Sequence, residues 1–83
     1  MHILEPEDRK NICGVRVRES RKARMPILTQ KDLAAKLELD GIMLDRMAIN
    51  RIESGNRFVS DIELVALAKA LGVSINWLVF GKN

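Results

Sequence analysis

Three times between Thr29 and Gly72 the sequence repeats one phrase: a residue that caps a helix, a stretch with apolar residues at helical spacing, and a glycine. Thr29 opens "QKDLAAKL", which runs on through Leu39 before Gly41 stops it. Asp45 opens the stretch that Gly55 stops. Ser60, with Glu63 three residues on, makes a capping box for "DIELVALAKAL", which Gly72 stops. A short polar side chain accepts from the free N–H groups of a first turn, and glycine takes the left-handed backbone that closes a last one. Helices this short are marginal in water on their own, so the pieces must stabilise one another in a bundle.

The flanks complete the pattern. "MHILEPEDRK" is charged and broken by proline, and reads as a loose lead-in over residues 1–10. A first helix is predicted over 12–24, where Ile12, Val15, Val17, Ser20 and Ala23 sit among basic residues. Pro26 ends it by disfavouring the helical region at Met25. Ser74 caps a last short helix, "INWLVF". The expected fold is all-α, with five short helices in one domain over residues 11–83. The fourth helix, with Ile62, Leu64, Val65, Leu67, Ala68 and Leu71, is the most apolar and the one expected at the centre.

Composition narrows the functions open to such a bundle. With 83 residues the chain suits one domain and one modest core, not a deep catalytic cavity. Apolar residues make up 47% but aromatics only 4%, so Leu, Ile, Val, Ala and Met must form the core. Cys13 is the only cysteine, which rules out an internal disulfide and fits a reducing compartment. His2 is the only histidine, and no spacing of Cys, His and carboxylates suggests a metal site. No apolar run approaches the ~20 residues of a membrane span, and no signal peptide is evident. The expectation is a cytoplasmic protein with no metal and no cofactor.

The formal net charge is +3, and residues 16–24, "RVRESRKAR", carry five of the fourteen basic residues. Such a cluster suits an anionic partner or a plain solvated helix face equally well. The stretch "DRMAINRIESGNR" is more pointed. At 100° per residue, Asp45, Ala48, Ile49 and Ile52 share one side, and Arg46, Met47, Asn50 and Arg51 the other, with Glu53 at the margin. The outward groups match base edges: arginine can fork onto guanine N7 and O6, asparagine onto adenine N6 and N7, and methionine can touch a thymine methyl. Taken alone, they are also ordinary surface residues. In the preceding helix, Thr29 and Gln30 offer free N–H groups, a favourable dipole and a side-chain donor to a phosphate, and Ala34 and Ala35 allow a second helix to approach closely. Together these make a helix-turn-helix layout.

"GVRVRESR", "TQKDLAAKL", "INRIESGNR" and "DIELVALAKALGVSINWLV", in this order, resemble the phage repressor/Cro (XRE) family of helix-turn-helix transcriptional regulators, over about residues 11–80. The resemblance implies a compact repressor-like fold whose helix 45–54 enters the major groove of double-stranded DNA. Arg46, Met47, Asn50 and Arg51 would then face bases, and Thr29, Gln30, Asn56 and Arg57 would face phosphates. It also implies a buried ion pair between Arg21 and Glu53. The sequence departs from the motif in one place: between Leu37 and Asp45 the connection is about five residues longer than the usual tight turn.

The function expected is a sequence-specific transcriptional regulator, a repressor acting as a homodimer on a palindromic operator. Nothing in these 83 residues supplies a sensor or protease-type domain, which favours a minimal Cro, controller or antitoxin type. Trp77, Leu78, Val79 and Phe80 are consecutive in a helix of under two turns, which cannot bury four large side chains on one face. Val79 and Phe80 are therefore the expected dimer contacts. The alternative is an antitoxin-type module that masks a toxin, its protein partner, and autoregulates its operon. No catalytic residues are expected; Cys13 beside Gly14 in a basic helix could act as a reactive thiol, but a small buried apolar residue is the simpler reading.

Overall fold

The computed structural model describes residues 5–82. After a 3-10 turn at Pro6–Asp8 come five helices: α1 (Gly14–Lys22), α2 (Gln30–Leu39), α3 (Arg46–Ser54), α4 (Asp61–Leu71) and α5 (Ile75–Phe80). The side chains of Thr29, Asp45, Ser60 and Ser74 each accept the backbone N–H three residues on, and Thr29 and Ser60 complete capping boxes with Asp32 and Glu63. Helices α2, α3 and α4 close alike. The N–H of Ile42, Asn56 and Val73 returns to the carbonyl of Leu37, Arg51 and Ala68 respectively, across a glycine at positive φ. At Gly55, φ is 92°, which any side chain would strain.

Each helix sends a fully buried side chain inward: Val17 from α1, Leu33 and Leu37 from α2, Ile49 and Ile52 from α3, Leu67 from α4 and Leu78 from α5. Burying a side chain of this size is worth roughly 1.5–3 kcal/mol, so the seven dominate the core. Helix α4 packs on α1, α2 and α5 and buries Ala66, Leu67, Ala68, Ala70 and Leu71. Its expected core role holds for Leu67, Ala68 and Leu71, but Ile62 is 68% exposed and Val65 54% exposed. The bundle covers one side of α4 and leaves the other apolar side open.

The N-terminal third departs from expectation. Helix α1 spans 14–22, not 12–24, because the Asn11 side chain accepts the Gly14 N–H at 2.8 Å and starts the helix there. Residues 1–4 of the expected lead-in, His2 among them, lie outside the described residues. The rest is not loose throughout. Arg9 donates from Nη2 to the carbonyls of Ile52 and Glu53 at 3.3 and 3.1 Å, and the Lys10 N–H reaches the Gly55 carbonyl at 2.8 Å. Arg16 donates to the Val79 carbonyl at 3.1 Å and Arg24 to the Ala70 carbonyl at 3.3 Å. Arg9, Arg24 and Arg16 thus cap the C-terminal ends of α3, α4 and α5, where a helix presents free carbonyls and partial negative charge. The basic cluster is neither a wholly solvated face nor a free anion surface, because part of its charge is used inside the fold.

Candidate nucleic-acid interface

The short helix α3 is gripped from two sides. Ile49 and Ile52 lie in the core among α1 and α2, and Glu53, read at the helix margin, is completely buried. Arg21 on α1 forms a bidentate pair with it: Nε to Oε2 at 2.8 Å and Nη2 to Oε1 at 2.9 Å. The third arm of that guanidinium donates to the Leu28 carbonyl at 3.1 Å, so the buried charges are matched and their hydrogen bonds made. Gly14 lets α1 approach. A Cβ there would collide with the Ile52 carbonyl oxygen, and also meet the Arg9 and Asn11 side chains.

With that side fixed, the opposite side of α3 is presented to solvent. Arg46, Met47 and Arg51 are exposed and Asn50 is half-buried. Asp45 caps the helix through a 2.8 Å bond from the Ala48 N–H to Oδ1. Between α2 and α3 lies a groove of about 580 Å³, walled by Ala34, Ala35, Met43 and Ala48 and bordered by Lys31, Arg46, Arg51 and Arg57. Glu38 and Asp45 are the two carboxylates on its lining, so cations outnumber acids there. Lys31 and Arg46 also line a second, smaller cleft with Arg21, Thr29 and Gln30. The opening of α2 and the N-terminal half of α3 therefore share one cationic face.

The four residues assigned to phosphates are placed unequally. Thr29 accepts the Asp32 N–H at 3.0 Å, which leaves its hydroxyl proton free to donate outward. Gln30 gives one amide N–H to Glu53 Oε1 at 3.1 Å and keeps the other. Asn56 is exposed, with its amide on the Ser54 hydroxyl at 3.1 Å. Arg57 is committed furthest. Its fork grips Glu63 at 2.8 and 3.0 Å and also reaches the Phe58 carbonyl, so its charge is already matched. The Arg57 bond holds the Glu63 carboxyl below the usual carboxylate range and lifts the guanidinium itself. Lys31, exposed in the first turn of α2, was not singled out from the sequence; its place directly after Thr29 and Gln30 was the available signal.

Elsewhere the sequence candidates are placed as follows. Val79 is half-buried and Phe80 is 65% exposed. Cys13 is buried, and burial pushes its thiol up, away from the thiolate a nucleophile needs. Among the described residues no group of three His, Cys, Asp or Glu could hold a metal ion, and no helix is long and apolar enough to cross a membrane.

Three comparisons follow this geometry. A family model described as Helix-turn-helix matches residues 17–78. The crystal structure of the restriction-modification controller protein C.AhdI from Aeromonas hydrophila is similar at 35% identity and a TM-score of 0.66, covering 80% of this chain and 86% of that one. The P22 c2 repressor protein in complex with synthetic operator 9T is similar at 28% identity and a TM-score of 0.68, covering 87% of this chain and 98% of that one. No curated protein matches the chain.

Proposed function

The chain belongs to the helix-turn-helix family, of the phage repressor/Cro (XRE) type, and is a DNA-binding transcription regulator; from that premise we propose that it is a repressor, a homodimer that reads a palindromic operator with α3 in the major groove. One observation carries this reading. A nine-residue helix is fixed by two core isoleucines and a buried ion pair, and its free side shows Arg46, Met47, Asn50 and Arg51. Reading bases to a fraction of an ångström needs a rigidly held helix with adaptable donors on its outer side. Arg46 and Arg51 are the guanine contacts, Asn50 the adenine contact and Met47 the contact to a thymine methyl.

Thr29, Gln30 and Asn56 set the register on the phosphates, and Arg57 does so as one half of a neutral pair. The P22 repressor's complex with its operator supports DNA as the ligand. The open apolar side of α4 with Phe80 supports a second copy as the partner, placing two copies of α3 about 34 Å apart, one turn of DNA. The protein works in the cytoplasm, where Cys13 stays reduced. Toxin masking would use the same open side of α4, and purification with and without a co-encoded protein separates the two roles.

Selection from random duplex DNA tests the reading. The wild type is expected to return a palindrome. Asn50→Ala should relax the preference at one position per half-site, costing about 1–3 kcal/mol on the best site. An unchanged preference in Asn50→Ala means that α3 is not the reader.

A further inference from the structure

We propose that Met43, on the lengthened connection between α2 and α3, is a further specificity-determining residue that reads the C5-methyl group of a thymine; this rests on α3 as the reading helix. The connection has a definite shape. Gly41, at φ 79°, turns the chain out of α2, and the Ile42 N–H bonds back to Leu37. Leu44 is buried and anchors the far end just before Asp45 caps α3. Met43 is held between these anchors and is 78% exposed.

Its position is not that of a stray surface methionine. Met43 lines the α2–α3 groove beside Arg46 and Arg51. Lys31 and Arg46 join that groove to the cleft at Thr29 and Gln30, so Met43 lies on the face that the phosphate and base candidates share. An unbranched thioether is a poor partner for a phosphate and a good one for a methyl group. Ala34 and Ala35 line the same groove and give it an apolar stretch of wall. The extra length of the connection supplies a contact that a tight turn lacks.

The test uses the selected operator and copies in which single thymines are replaced by deoxyuridine, which removes only the methyl. The wild type should lose affinity about fourfold at one thymine per half-site, the worth of roughly one buried methyl. Met43→Ala should bind thymine and deoxyuridine equally there and keep every other deoxyuridine penalty. Met47→Ala should erase a penalty at a different thymine. Because Met43 is exposed, its variant should melt with the wild type. If Met43→Ala keeps all the wild-type penalties, or Met47→Ala alone accounts for every one, the inference is overturned while α3 remains the reader. If selection yields no preferred sequence, the reading of α3 fails and this inference fails with it.

Discussion

Gln30 donates its side-chain amide to Glu53 at 3.1 Å, on the same Oε1 that accepts from Arg21. One buried carboxylate thus joins the first residue of α2, the end of α3 and the last turn of α1. It fixes the angle between the two helices of the motif as well as the depth of α3. Glu53→Gln keeps the shape but leaves the Arg21 charge uncompensated in the interior. Removing one partner of a buried pair costs about 3–5 kcal/mol, and the retained amide oxygen should hold the loss near the lower figure. Urea unfolding at neutral pH checks this; a midpoint equal to the wild type would show that the pair contributes nothing. Gln30→Ala should lose about 1 kcal/mol and weaken binding to all DNA sequences with little change in salt dependence.

Gly14 carries a sharper constraint, because the Ile52 carbonyl lies against its α-carbon. Gly14→Ala would ordinarily favour a helix, by up to about 1 kcal/mol. Here the methyl must push α1 away from α3, and overpacking of this kind costs about 1–3 kcal/mol or more. Thermal melting should show a lower midpoint for Gly14→Ala, against the direction of helix propensity. A raised midpoint would mean that α1 and α3 do not meet as closely as described.

The parts of this fold that were legible are the parts written locally. Thr29, Asp45, Ser60, Ser74 and the closing glycines mark their helix ends within a few residues, so α2 to α5 could be drawn from the sequence. Helix α1 is shorter than its periodic stretch because its start is set by Asn11, a side chain outside that stretch. The destinations of Arg9, Arg16 and Arg24 depend on where three other helices end in space, and no spacing along the chain encodes that. The outward side of α3 followed from helical pitch alone. Glu53 fell at the margin of that projection, and its burial comes from α1 packing over it. The commitment of Arg57 to Glu63 was invisible because the capping-box reading already accounted for Glu63.

That pair gives a pH-dependent expectation. The Glu63 carboxyl is held low chiefly by its bond from Arg57, against an opposing push from burial. A carboxyl lowered in the folded state adds stability that is fully present above its unfolded value, about 4.3, and is lost as pH falls through the folded value. Glu63→Gln keeps the capping box but not the charge. The wild type should therefore exceed this variant by up to about 1 kcal/mol near neutrality, with the gap closing in acid. Denaturant titrations at neutral and acidic pH check this, and a constant gap would assign it to capping, not to the ion pair. Since Arg57 and Glu63 together are neutral, replacing both should alter the salt slope of DNA binding less than Arg57→Ala alone.

The dimer can be tested at the C-terminus. Helix α5 has six residues and buries only Leu78 fully. Trp77 packs against the core as a partly buried residue, and Arg16 holds the Val79 carbonyl, which leaves Phe80 outward at 65% exposure. Ile62 and Val65 on α4, which packs against α5, are exposed too. Apolar side chains spread over two neighbouring helices suit a second copy better than water. Phe80→Glu would bring two carboxylates together at a two-fold axis while leaving each monomer's core untouched. Sedimentation should show the wild type as a concentration-dependent dimer and the variant as a monomer with an unchanged melting temperature at low concentration. Operator affinity should fall steeply in the variant, because each half-site is then bound without help from the other. A wild type that stays monomeric at high concentration, even on its operator, removes the two-fold assembly and with it the palindromic site.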